Sequence, residues 1–266
     1  MTDKGHGFNQ FSISIRRQER RLLFYTFLIL GAFVGGFVNG LSGFGTALFA
    51  LGFFLAIMTP LDAVALIVLM SLFAGLISSR PLLSYMPVNK RFILGFTLPG
   101  IVCVPLGVGV LSYISVDMLR LVVAVLLLLY GGYFSLRATL PRITGAFPIM
   151  DAVIGAIGGV LGGMGGLSGA LPTMWLAMRD FEKHDARAIL QAYNMTLLFI
   201  AFLVLIYKNA YDAALLLSSV IAIPVAMLAT PLGLFVFKKL STDQFKRLLI
   251  SMMLISGLIM LARILF

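Results

Sequence analysis

The chain has 266 residues, of which 61% are hydrophobic and only 11% charged. A soluble domain of this length carries about 25% charged residues, and several apolar runs here reach the ~20 residues that cross a bilayer, so a soluble enzyme or nucleic-acid-binding domain is excluded. The net charge of +10 and the single cysteine, Cys103, leave a basic polytopic membrane protein with neither an intrachain disulfide nor a cysteine metal cluster.

Residues 1–21 read as a basic N-terminal tail carrying Arg16, Arg17, Arg20 and Arg21. The tail resembles a signal-peptide start, but the apolar run behind it is far too long for an h-region, so the first membrane segment is expected to stay uncleaved. Eight apolar segments follow: 22–59, 61–79, 92–114, 118–136, 146–178, 186–207, 211–237 and 244–266. The first would be about 57 Å long as one helix, well over one crossing. Segments one and five are dense in glycine at their centres, and the clusters end in Ser-Gly or Gly-x-Gly pairs. Each is expected to be two half-helices meeting at mid-membrane depth, the alternative being an unbroken helix that uses the glycines for close packing. Pro99, Pro105, Pro224 and Pro231 fall inside segments three and seven and predict kinks. Ser115 to Asp117 and Ser241 to Asp243 predict N-caps for segments four and eight. Trp175, Tyr207 and Tyr211 read as residues of the interfacial aromatic belt.

The segments form two copies. Residues 36–65 and 159–188 repeat at an offset of 123, with Gly40 matching Gly163, Gly43 matching Gly166 and Asp62-Ala63 matching Asp185-Ala186. At an offset of 126, Pro105-Leu106-Gly107 matches Pro231-Leu232-Gly233, and Ser115, Asp117, Gly131 and Arg137 match Ser241, Asp243, Gly257 and Arg263. Prolines, aspartates and arginines are too rare here for such matches to arise by chance. The fold class is therefore all-α, a polytopic bundle of about eight helical segments in two four-segment repeats, 22–137 and 138–266, with glycine-broken segments one and five.

Loop charge orients the copies. The first copy's connections hold no basic residue, then Arg80, Lys90 and Arg91, then Arg120 alone. The second copy's hold Arg179, Lys183 and Arg187, then Lys208 alone, then Lys238, Lys239, Lys246 and Arg247. By the positive-inside rule, equivalent loops face opposite sides, so the repeats are expected to be inverted, each crossing an odd number of times while its broken segment re-enters. One conflict stands in this reading. With 80–91 inside, a re-entrant first segment puts the arginine-rich tail outside, unless the extra length of segment one adds a crossing.

All ten acidic residues lie near segment ends, which argues against a mid-membrane carboxylate relay for protons or sodium. A broken helix exposes amides at a new, partly positive N-terminus, so two breaks meeting at the repeat interface would hold an anion without a lysine or arginine. The candidate substrate-binding residues are Asn39, Ser42, Gly43, Gly45 and Thr46 in the first copy and Gly165, Gly166, Ser168 and Gly169 in the second. Arg187, Gln191 and Asn194 add a polar stripe at i, i+4 and i+7 on one helix face, with Asn194 matching Ser71. Arg187 lies within a turn of its segment's end, where snorkelling to the interface is the competing reading. No catalytic residue, cofactor or metal is expected. The partners read from the chain are a small anionic substrate and the lipid bilayer, with a homo-oligomer allowed and no nucleic acid.

The twin modules GGFVNGLSGFGTAL and GGVLGGMGGLSGAL, with the four-plus-four layout, resemble the sulfite exporter TauE/SafE family, also described as toluene-sulfonate uptake permeases. The resemblance covers roughly 27–266. It implies a multi-pass transporter of small anions in a bacterial inner membrane, exporting sulfite or an organosulfonate such as sulfoacetate. It carries no short motif that assigns site residues. Import of another small anion or sulfur compound is the alternative. An intramembrane enzyme ranks low, since Cys103 and scattered serines make no nucleophile–base set.

Overall fold

The structure, a computed structural model, describes residues 4–85, 90–111, 113–135, 143, 145–179 and 181–265. Among the described residues are ten α-helices and no strand: α1 (Lys4–Ser42), α2 (Thr46–Phe54), α3 (Pro60–Ser79), α4 (Lys90–Leu111), α5 (Val116–Ser135), α6 (Pro148–Gly165), α7 (Ala170–Met178), α8 (Lys183–Tyr207), α9 (Ala213–Lys239) and α10 (Thr242–Leu265). Eight are long and apolar enough to cross a membrane, α1 from Gln18 onward among them. The other two, α2 and α7, have nine residues each, about half a crossing. Arg137 and the boundary expected between the repeats lie outside the described residues. The matched serines act as caps: Ser115 Oγ accepts from the Met118 amide at 3.2 Å, and Ser241 Oγ accepts from the Gln244 amide at 3.2 Å.

Segments one and five are hairpins. The chain turns at Gly43 and Gly45, with φ of 80° and 87°, and at Gly166, with φ of 68°, a left-handed backbone that glycine adopts without strain. Past each turn the short helix folds back along the long one. A Cβ on Gly35 would lie 2.9 Å from Thr46 and 3.1 Å from Ala50, and one on Gly31 would meet Phe54 at 2.6 Å. Likewise Gly162 faces Ser168 and Gly158 faces Pro172. The expected pair of half-helices meeting at mid-depth needs correction. The first limb is a full helix, and only the returning limb is short. The turn also lies beyond the middle: Gly40 is level with Thr230 and Gly163 with Val104, so the turns, three residues on, sit ~6–9 Å short of the ends of α9 and α4. The reason is packing. The glycines that seat α1 and α6 on their neighbours continue as far as Gly40 and Gly163, so helix must persist that far.

Those neighbours belong to the other half. Gly36 and Gly40 of α1 seat on Ala226 and Thr230 of α9, while Gly159 and Gly163 of α6 seat on Gly100 and Val104 of α4. Gly233 lies against Phe37, and Gly107 against Val160. Each pair maps onto its counterpart by the offsets of 123 and 126 read from the sequence. In α5 and α10, Gly131 lies against Leu254 and Gly257 against Leu128, again at an offset of 126. Small residues let these backbones approach closely, which drives helix association where lipid removes the hydrophobic incentive. Thr230 adds a hydrogen bond, donating to the Gly36 carbonyl at 3.2 Å.

The contacts also set direction. Gly35 meets Met70 and Asn39 meets Ser78, so α1 and α3 run parallel. Tyr211 reaches Ala65 while Gln191 reaches Ser79, so α8 runs against α3. Phe96 packs on Tyr193 and Lys208 donates to the Val108 carbonyl, so α4 runs with α8, and α6 runs with α4. The equivalent helices α1 and α6 thus point in opposite directions. Tyr85, beyond the end of α3, stacks on His184 at 5.2 Å between centroids, placing the 80–85 connection at the same end of the bundle as the start of α8. Arg80, Arg91, Lys183, Lys238 and Lys239 all lie toward this basic face. Because α1 is continuous, it adds no crossing, and Arg20 and Arg21 lie toward the opposite face.

Candidate functional site

The two turns meet. The Phe44 ring, in the first, fills the space a Gly169 side chain would take, at 2.5 Å from the Cβ position. Gly166, in the second, lies against Ala47 at 3.2 Å and Ile67 at 3.1 Å. Both short helices begin without a side-chain cap. The Gly43 amide donates to the Asn39 carbonyl at 2.7 Å and the Gly166 amide to the Gly162 carbonyl at 2.8 Å, so these two amides close their own helices. Ser42 also turns inward, its Oγ lying 2.8 Å from the Val38 carbonyl and 2.6 Å from the Phe44 carbonyl, bracing the corner.

Around the first turn lies a buried polar cluster drawn from both halves. Asn39 donates from Nδ2 to Thr46 Oγ1 at 3.0 Å, tying α1 to α2 across Gly43 and Gly45. Its Oδ1 accepts from Ser78 Oγ at 2.9 Å. Gln191, fully buried on α8, donates to Ser79 Oγ at 3.1 Å and to the Gly75 carbonyl at 3.2 Å, while its Oε1 lies 3.4 Å from Ser78 Oγ. The same Oε1 would meet a Cβ on Gly43 at 2.7 Å. One turn earlier on α8, Arg187 lies beside Gly43, its Cγ 3.4 Å from that Cβ position.

Arg187 is the unusual member. Its exposure is 0%, so it does not snorkel, although it is only one turn into its helix. One Nη2–H donates to the Gly40 carbonyl near the end of α1. Its Cζ lies 4.1 Å from the centroid of the Phe237 ring. Nε and Nη1 are buried and have no hydrogen-bond partner. Burying a cation with most of its donors unmet costs several kcal/mol, a debt that an anion with two acceptor oxygens would offset.

The second turn carries a smaller group. Ser168 Oγ donates to Asn194 Oδ1, and Tyr193 donates to the Gly155 carbonyl at 2.7 Å. Gly165 packs on Leu167. Asn194 and Ser168 are buried, and no hydrogen bond among the described residues joins them to Arg187 or Gln191, although Asn194 is one turn from Gln191 on α8. By the sequence offset of 123, Arg187 and Gln191 correspond to Val64 and Val68, so the charged and amide residues align with apolar ones.

Sequence reasoning missed Ser78, Ser79, Gly75 and Phe237. The serines offered a signal, a polar pair closing an apolar segment. Trp175 does not sit in an interfacial belt: it is buried and donates to Asp151 at 2.6 Å. That bond satisfies both an indole and a carboxylate inside the bundle. Tyr207, in contrast, is 87% exposed.

The family model of the sulfite exporter TauE/SafE matches residues 28–260, nearly all of the helical bundle. The chain belongs to the sulfite exporter TauE/SafE family. The comparison with curated proteins finds no match, and neither does the comparison with solved structures. Membership makes it a multi-pass membrane transporter of sulfur anions. In the TauE/SafE chain, the described residues contain no group of three or more His, Cys, Asp or Glu side chains that could hold a metal ion. The buried polar side chains near the two turns carry amide, hydroxyl and guanidinium groups.

Proposed function

We propose that the protein exports a small sulfur oxyanion, sulfite or an organosulfonate such as sulfoacetate, across a bacterial inner membrane, through a site beside the first turn, between two inverted repeats. The observation that carries the reading is Arg187, wholly buried with Nε and Nη1 unpaired and set between Gly40, Gly43 and Gln191. A guanidinium presents a planar fork of donors that matches two oxygens of a sulfite or sulfonate group. The opposite directions of α1 and α6 support the inverted arrangement, in which the halves exchange roles as the site opens to either side.

Export fits the energetics. A bacterial interior is negative, so each anionic charge leaving the cell gains ~2.3 kcal/mol per 100 mV without a coupling carboxylate. The test is flux of radiolabelled sulfite and sulfoacetate in proteoliposomes. Wild-type protein is expected to move at least one of them down an imposed potential, and Arg187→Gln to lose that flux. Flux that persists undiminished in Arg187→Gln refutes the site, and movement of neither anion by wild-type protein refutes the substrate class.

A further inference from the structure

Arg187 has no direct path to water, so something must move to load it. Its cover is Phe237, 2% exposed, in the last turns of α9. The same ring contacts Arg187 Cζ at 4.1 Å and Lys183 Nζ at 5.2 Å, and it is braced edge-on by His184 at 5.4 Å and Phe245 at 5.2 Å. Lys183 is half-buried at the start of α8, and Arg187 lies one turn deeper on the same helix face. An anion arriving from the basic face meets Lys183 first and cannot pass to Arg187 along α8 without displacing the ring.

The segment carrying the ring follows a break in the hydrogen-bond ladder. Pro231 lies inside α9 and cannot donate to the carbonyl one turn back, so the ladder is interrupted six residues before Phe237. Beyond that point, the end of α9 is held by Lys183, whose Nζ donates to the Leu240 carbonyl. The repeat-related helix has the same parts. Pro105 lies inside α4, Leu111 occupies the position equivalent to Phe237, and Lys208, at the other end of α8, donates to the Val108 carbonyl at 3.2 Å. Thus α8 carries a lysine at each end, and each holds the post-proline end of one of two equivalent helices.

We propose that these two ends are the transporter's gates: Pro231–Leu240, with Phe237 as plug and Lys183 as latch, closes the site toward the basic face, and Pro105–Leu111, latched by Lys208, closes it toward the other. The proposal rests on Arg187 being the anion site and names what admits the anion to it. Alternate release of the two latches exposes the site to one side at a time. An incoming oxyanion competes with the Leu240 carbonyl for Lys183, so arrival of substrate unlatches its own gate.

The test is thiol accessibility in oriented membrane vesicles. In a Cys103→Ser background, Ser78→Cys places one thiol beside Gln191, and a membrane-impermeant methanethiosulfonate is applied to either face. Phe237→Ala is expected to speed labelling from the basic face about tenfold, the population shift that losing one desolvated cation–π contact allows, with no change from the other face. An unchanged rate in folded Phe237→Ala, or an equal rise from both faces, overturns the proposal. Should Phe237→Ala not fold, Lys183→Met keeps the stem and removes the latch; it should show the same one-sided rise, and an unchanged rate in it overturns the gate. Protection of the thiol by sulfoacetate, a sulfonate that does not consume the methanethiosulfonate, is read separately in the protein without gate mutations. Its absence would refute the anion site, whereas the one-sided rise depends on the gate alone.

Discussion

Arg187 of the second half donates to the carbonyl of Gly40 in the first, and that bond leaves two of its three guanidinium nitrogens unmet. One bond to a charged donor contributes about 1.5–3 kcal/mol, while burying the charge costs several. Without an anion, Arg187 is therefore a net burden on stability, and an anion bound there as proposed would offset it.

This balance has a measurable sign. Arg187→Met is expected to melt at the same temperature as wild-type protein or above it in detergent without anion, because the buried charge is gone. Wild-type protein should gain about 2.7 kcal/mol when sulfite is present at a hundred times its Kd, and Arg187→Met should gain nothing. Melting curves with and without sulfite check both. A large loss of stability in Arg187→Met with the sulfite shift intact would show that the residue is only a strut.

The glycine seats should be intolerant in a position-specific way. A Cβ on Gly40 would lie 1.9 Å from the Thr230 carbonyl, and one on Gly163 would lie 2.2 Å from that of Val104. Both obstacles are backbone, so Gly40→Ala and Gly163→Ala should cost more than the ~1–3 kcal/mol of ordinary overpacking. Gly109, also in α4, has nothing within 4 Å of its Cβ position, and Gly109→Ala should stabilise by about 0.5–1 kcal/mol. Thermal melting of the three variants side by side decides it.

At the turn, Gly43→Leu should stop transport while the protein still folds. Its φ of 80° adds about 1–2 kcal/mol of strain for any L side chain, and the new Cβ would press on Gln191 Oε1 at 2.7 Å. Size-exclusion profile and flux, measured on the same preparation, separate folding from function. Full-rate flux in a folded variant would move the site away from this corner.

Asn194→Ala removes the acceptor of Ser168 and should cost ~1–3 kcal/mol of stability. Gln191 stands one helical turn away, but no described hydrogen bond links the two, so Asn194→Ala and Gln191→Ala should couple only at the low end for near neighbours, about 0.5 kcal/mol. A larger coupling in a double-mutant cycle would show that the two turns act as one polar unit.

Orientation has its own check. Cysteines at 85 and 183 should label from one face, and a cysteine at 209 from the other, since Tyr85 stacks on His184 while Asn209 follows the far end of α8. Labelling of 85 and 209 from the same face would break the inverted arrangement.

Hydropathy and the spacing of glycine made much of the fold legible in the linear chain. Apolar runs of bilayer length can only be helices in lipid, because every backbone amide must find its partner within the segment. The matched glycines marked the two turns to within a few residues, since only glycine takes a left-handed backbone there at no cost. Two features could not be read that way. The glycines before Gly40 and Gly163 serve packing, and only the docking of α1 on α9 and α6 on α4 keeps the first limbs helical so far. Arg187 stands one turn from the end of its segment, where sequence alone cannot distinguish a residue that reaches back to water from one that points inward. The choice was made by residues remote in the chain: the Gly40 carbonyl in the other half and the Phe237 ring fifty residues on. Local sequence sets which segments are helical and where they may turn. Whether a polar side chain ends in water or in the core depends on which helices pack around it, and that is a property of the tertiary structure.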